Sequence, residues 1–262
     1  MSIEDFDRPL LVADGLTKYY GRRLGCRSVS LDLYEGEVMA VVGESGSGKS
    51  TLLQLLSGQI EPNEGRVLYR MRDGATCDLW SMSEAARRFL FRTDWGFVHQ
   101  DAQNGLRMGI SAGGNVGERL MATGWRNYAQ IRGAAAAWLE RVEIPQERID
   151  DTPRTYSGGM RQRLQIARNL VTAPRLIFMD EPTGGLDVSV QARLLDLLRR
   201  IVSEMRLAAI VVTHDLAVAR LLSNRIMVMK DGMVIEQGLT DQVLDDPQAP
   251  YTQLLVSSIL PA

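Results

Sequence analysis

With 262 residues, 45% of them hydrophobic, the chain can bury one large domain, or a core domain carrying a subdomain, which excludes a disordered protein. Lys and Arg number 30 against 32 Asp and Glu, a formal charge of −2, so there is no bulk attraction to nucleic acid or anionic lipid and any anion must be held locally. No apolar run nears the roughly 20 residues of a membrane helix, the opening MSIEDFDRP is acidic where a signal peptide is basic and then apolar, and Cys26 and Cys77 lack the paired spacing of a disulfide framework or a zinc site. These features lead us to expect a cytoplasmic protein without direct membrane insertion, its cysteines structural.

In chain order, LLVADGLTKYYG and SVSLDLYEGEVMAVV alternate apolar and polar residues around turn-forming glycines, the pattern of an antiparallel sheet with one wet face. The last part of that stretch, Val38 to Val42, is continuously apolar and reads as a strand buried on both faces. It runs into a glycine-rich loop and then a helix, Lys49 to Ser57, stopped by Gly58. Residues from about 81 to 172 lack β-branched runs and include helical segments such as Arg132 to Val142, which predicts an inserted, mostly helical subdomain. Leu176 to Met179 and Leu207 to Thr213 are short apolar runs. The helix between them carries Val190, Leu194, Leu197, Leu198, Ile201, Val202 and Met205 on one face, as parallel strands with a crossover helix require. Asp231-Gly232 centres a final hairpin. The fold class expected is α/β: a phosphate-loop ATPase core with a parallel sheet and flanking helices, an antiparallel β subdomain and the helical insert, in a single domain over 1–262.

Gly43, Glu44, Ser45, Gly46, Ser47, Gly48, Lys49 and Ser50 fit G-x-x-x-x-G-K-[ST], between a buried strand and a helix. In such a loop the glycines let backbone N–H groups converge on phosphates, Lys49 reaches the β and γ phosphates, and Ser50 holds Mg²⁺; Thr51 follows at the start of the helix. Leu176 to Met179 end in adjacent carboxylates at the expected C-terminal edge of a parallel sheet. Asp180 then binds Mg²⁺ through its water shell, and Glu181 orients or deprotonates the attacking water.

Ser157-Gly158-Gly159-Met160-Arg161-Gln162 resembles the signature sequence of ATP-binding-cassette proteins, and it precedes an amphipathic helix, Arg161 to Leu170. The resemblance implies that Ser157, Gly158 and Gly159 cap the γ phosphate of ATP bound by the opposite subunit, so that two chains, two copies or a copy with a related cassette, meet head to tail around ATP and Mg²⁺. Met160 stands where the family usually has Gln, which removes a side-chain contact and leaves the backbone donors. Other family positions follow in order. Tyr20 corresponds to the aromatic that stacks on adenine, with Tyr19 as its rival; Gln100 to the glutamine that reaches Mg²⁺ and the water; Leu186-Asp187 to the loop crossing the dimer interface; His214 to the histidine on the γ phosphate. Arg87, Arg88 and Arg92 lack an aromatic stacking platform and read as a solvated or partner-facing helix surface, and His99 as a loop residue.

The segments at 99 to 124, 181 to 200 and 239 to 260 are similar to the ATP-binding K subunits of bacterial carbon-phosphorus lyase systems, which implies phosphonate catabolism and soluble lyase core subunits as partners. ATPases of oligopeptide, dipeptide and nickel importers also resemble the chain in SGGMRQR, DVSVQA and PYTQLL. After Gln100 those importers usually carry Ser-Leu-Asn-Pro, facing the permease; here stand Asn104-Gly105-Leu106-Arg107 and the glycine-rich Ser111 to Gly114. The chain also has no cysteine-containing tail beyond PYT. Glu181 argues against a third reading, a scaffold that binds ATP without turnover.

Overall fold

The computed structural model describes residues 8–258, so the first seven residues of the acidic opening and the last residues of the 239 to 260 segment lie outside the described residues. Strands β1 (Leu11–Tyr20), β2 (Arg23–Leu33) and β3 (Val38–Val42) lead into helix α1 (Lys49–Leu56), followed by β4 (Glu64–Arg70), β5 (Thr76–Asp78), α2 (Glu84–Thr93) and β6 (Trp95–Val98). Helices α3 (Ala102–Gly105), α4 (Ala112–Ala122), α5 (Tyr128–Arg141) and α6 (Gly158–Leu170) come next. Then follow β7 (Leu176–Asp180), α7 (Val188–Met205), β8 (Ala208–Val212), α8 (Leu216–Leu222), β9 (Arg225–Lys230), β10 (Met233–Leu239), α9 (Thr240–Asp245) and α10 (Pro250–Ser257). The chain forms two compact units: the described residues up to Arg87 with those from Arg206 onward, and Arg88–Met205. Among the described residues no helix is long and apolar enough to cross a membrane.

In the first unit the antiparallel sheet runs β2-β1-β4-β5; β1 and β2 are the strands the alternation predicts, and β4 and β5 join them from later in the chain. A second run of strands, β10-β9-β3-β8, holds β3 parallel to both β8 and β9. All five residues of β3 and all five of β8 are buried, which is why both read as unbroken apolar runs. Asn224 fixes the start of β3: its side-chain oxygen accepts the Val38 N–H, and its own N–H donates to the Val38 carbonyl. The β9–β10 turn is the expected Asp231-Gly232 pair, both with positive φ, +49° and +78°, the backbone hand that matches strand twist in a two-residue hairpin. α8, α9 and α10 cover one face, where Val42, Val228, Leu216, Val243 and Tyr251 share a core cluster.

In the second unit β6 and β7 pair in parallel, Phe97 opposite Phe178, and the Trp95 ring meets Phe178 edge-on with centroids 5.2 Å apart. α5 begins four residues earlier than the apolar pattern indicates, because the Asn127 side chain accepts the Gln130 N–H and caps it there. α7 buries Leu194, Leu195, Leu197, Leu198 and Ile201. Leu195 broadens the expected stripe, while Val190, Val202 and Met205 stay partly exposed.

Candidate functional site

The first unit carries the phosphate loop at the C-terminal end of β3. Gly43 has φ +148°, and a Cβ there would lie 2.2 Å from the Met229 carbonyl oxygen; at Gly48, φ +102°, a Cβ would lie 2.4 Å from the Gly25 carbonyl oxygen. Both positions therefore require glycine for space as well as backbone hand. Lys49 is only 7% exposed, and its Nζ donates to the carbonyls of Gly43 at 2.7 Å and Glu44 at 2.8 Å, which folds the side chain back along the loop. α1 starts at Gly48 without a side-chain cap and without an acidic residue in its first turn, so its terminal N–H groups suit an anion. The Ser47 hydroxyl is buried inside the loop with no hydrogen-bond partner, 2.8 Å from the position a Cβ on Gly43 would take. A buried donor is costly when unmade; a phosphate oxygen would satisfy it. Among the described residues no cluster of three or more His, Cys, Asp or Glu forms a metal cage. Mg²⁺ carried on nucleotide phosphates needs only one or two protein oxygens, and the exposed Ser50 at the start of α1 offers one.

Two more predicted residues belong to this unit. Tyr20 is 47% exposed, and its ring reaches past Gly25, where a Cβ would lie 3.1 Å from the ring and 2.8 Å from the Thr51 methyl of α1. Lys18 Nζ stands over one face of the ring, 5.9 Å from its centroid, and the ring lies close to the loop helix, whereas the Tyr19 hydroxyl accepts from Arg27 at 3.5 Å. The Thr213 N–H donates to the Val41 carbonyl, so exposed His214 leaves β8 at the end where β3 delivers the phosphate loop. Asp215 follows as the N-cap of α8, accepting from Ala217 and Val218.

In the second unit, Asp180 ends β7 and Glu181 follows it with φ +45°, an uncommon backbone hand for a residue with a side chain. The Glu181 carbonyl accepts the Gly184 N–H at 2.9 Å. Gln100, two residues past β6 at the same end of the parallel pair, has its Nε2 3.2 Å from where a Gly184 Cβ would sit. Glycine at 184 leaves Gln100 room beside the Glu181 turn. Ser157 caps α6 by accepting the Met160 N–H at 3.3 Å. Gly158 faces Leu186, and a Cβ on Gly159 would lie 2.5 Å from a Val190 methyl, so the predicted interface loop and the signature residues pack on each other within this unit. Met160 meets Arg148, whose Nη1 lies 3.5 Å from the sulfur. Gln100, Gly158, Arg161, Gln162, Gly184 and Leu186 line a cleft of about 320 Å³.

Several residues that organise this unit escaped the sequence reading. β6 ends its sheet, and on its outer edge Asn169 exchanges both hydrogen bonds with the Phe97 backbone, Gln165 does the same with His99, and Arg119 donates to the Trp95 carbonyl. Side chains of α6 and α4 thus replace a missing strand. Burial lowers the His99 pKa, and burial, followed by the nearby Arg168, lowers that of Arg119 to about 10. Asn115, fully buried, accepts from the Arg107 N–H and donates to the carbonyls of Arg107, Ile110 and Ser111, fixing the stretch after Gln100. Glu118 bridges Arg107 and Arg168. The signal in sequence was slight: a 162, 165, 169 spacing of amides on one helix face. Arg87 lies over the Trp80 ring, 4.6 Å from its centroid, while Arg88 and Arg92 are exposed.

A family model described as ABC transporter matches residues 26–184. The phosphonates utilization ATP-binding protein PhnK of Escherichia coli (strain K12) is 62% identical over 97% of this chain and 99% of its own length. The dipeptide transport ATP-binding protein DppD of Bacillus subtilis (strain 168) is 35% identical over 93% of this chain and 73% of its own. Among solved structures, the dimeric post-hydrolysis state of the ATP-binding cassette MJ0796 bound to ADP and Pi superposes with a TM-score of 0.78 at 30% identity, covering 88% of this chain and 98% of that one.

Proposed function

Since the chain belongs to the ABC transporter family as an ATP-binding, ATP-hydrolysing cassette, we propose that it works as a head-to-tail dimer supporting phosphonate catabolism beside a soluble carbon-phosphorus lyase core. The phosphate loop carries the nucleotide part of this reading: two glycines that nothing else can replace, a buried lysine and a buried hydroxyl without an acceptor. Lys49 holds the β and γ phosphates, Ser50 with Gln100 and Asp180 serves Mg²⁺, and Tyr20 stacks on adenine. Mg²⁺ supplies charge neutralisation on the phosphates. Glu181 orients the attacking water and takes its proton as the bond between γ phosphorus and bridging oxygen breaks, with His214 on the γ phosphate. Ser157, Gly158 and Gly159, in the helical stretch at about 81 to 172, close over the partner's nucleotide.

The phosphonate part rests on 62% identity running nearly end to end with a protein named for phosphonates utilization, against 35% with a dipeptide transport relative. Asn104-Gly105-Leu106-Arg107 where importers carry Ser-Leu-Asn-Pro, followed by a stretch that Asn115 fixes from Arg107 to Ser111, supports a different docking partner. Tagged Glu181→Gln protein, held with ATP, is used to pull partners from phosphonate-grown source cells, with soluble and membrane fractions analysed separately by mass spectrometry. Recovery of the lyase core in the soluble fraction is the expected result; reproducible recovery of a membrane permease instead establishes the importer reading.

A further inference from the structure

The C-terminal PYTQLL run has no part in the chemistry above, yet it reaches the phosphate loop. Glu236 on β10 accepts the N–H groups of Gln248 and Ala249 with its two carboxylate oxygens, at 2.8 and 3.0 Å, and so fixes the entry to α10. The Tyr251 ring then lies in the core cluster with Val42 and Val228, and Lys230 Nζ stands 4.7 Å from its centroid. At the far end of the ring the hydroxyl accepts the Glu44 N–H at 3.2 Å, across 207 residues of sequence. The carbonyl of Glu44 is engaged as well, by the Ser47 N–H at 3.2 Å and Lys49 Nζ at 2.8 Å. The β9–β10 hairpin touches the loop twice more: Gly232 N–H donates to the Ser47 carbonyl at 3.0 Å, and the Met229 carbonyl fills the space beside Gly43.

From this arrangement we infer that Tyr251 is a positioning residue for nucleotide binding, its hydroxyl holding the Glu44 peptide turned toward the core so that the loop is shaped before phosphate arrives. The inference rests on the reading that residues 43–50 bind ATP. A loop already in its binding shape has less ordering to do when ligand arrives, so the hydroxyl acts on affinity for nucleotide and not on the bond-breaking step.

Tyr251→Phe keeps the ring in its cluster and deletes only the acceptor. In the full chain, KM for ATP and Kd for ADP are expected to rise about 3- to 10-fold, the worth of one hydrogen bond, with kcat within about 2-fold of wild type. Lys230→Met removes the cation from the ring and leaves the hydroxyl in place; its KM should match wild type. Unchanged nucleotide affinity in Tyr251→Phe overturns the inference, as does an equal rise in Lys230→Met, which would make ring packing the cause. Should Tyr251→Phe lose its native circular dichroism, rapid hydrogen exchange at the Glu44 amide of the wild type overturns the inference, and marked protection supports it. A wild type that neither binds nor hydrolyses ATP defeats the ATP reading itself, a result separate from either variant's.

Discussion

Glu181 and Cys26 show how differently two side chains are set by their surroundings. Glu181 follows the last rung of β7, and its proposed role is to take a proton from water, which glutamine cannot do. Glu181→Gln should lower steady-state phosphate release by at least about 100-fold while leaving ATP binding intact; turnover near wild type would remove Glu181 from the chemistry. Lys49→Ala should lose ATP binding before anything else, because the buried ammonium faces the loop. Cys26 is buried, and burial raises its thiol to about 11. At pH 8 about one part in a thousand is then thiolate. Cys77 is partly exposed, so iodoacetamide under native conditions at pH 8 should label Cys77, with Cys26 reacting only after urea unfolding; intact-mass and peptide analysis distinguish the two.

At the scale of elements, the edge of β6 is the telling case. An edge strand exposes a row of unpaired backbone groups, and here Asn169 satisfies both groups of Phe97. Asn169→Leu strands those two groups in the interior and should destabilise the protein by about 2–4 kcal/mol, read as a lower urea midpoint; an unchanged midpoint would mean that water or a neighbour takes over. The sequence announced elements whose signal is local: β3 by five apolar residues, the loop after it by its glycines, the hairpin by Asp231-Gly232. It did not announce Gln165, Asn169 or Asn115, because an amide on a helix reads as solvated until the strand or loop that it serves is known. The positive φ of Glu181 was hidden for another reason: backbone hand is legible at glycine, and glutamate gives no sign of it. Tyr251 could be seen as a motif but not as a partner of Glu44, since nothing local links positions 207 apart.

For the whole molecule, a net charge of −2 supplies no bulk electrostatic drive to association, which is left to specific contacts. If ATP is what joins two chains, Glu181→Gln should elute at twice the monomer mass in size-exclusion chromatography with ATP and Mg²⁺, and as monomer with ADP; monomer under both conditions would count against a homodimer and favour a related cassette as the second subunit. The signature residues gain from being held ready: Gly159 fits against Val190 with no room for a methyl, so the first turn of α6 is shaped by its own unit before a partner arrives.

The left-handed backbone at Glu181 also places stability and activity in opposition at a single codon. A glutamate held at φ +45° costs on the order of 1 kcal/mol that asparagine or glycine would not incur. Glu181→Asn and Glu181→Gly should therefore melt at or above the wild-type temperature while turning over no ATP. If Glu181 has the role proposed for it, a screen that rewards thermal stability alone would discard that carboxylate, and only selection for hydrolysis would keep it in the chain.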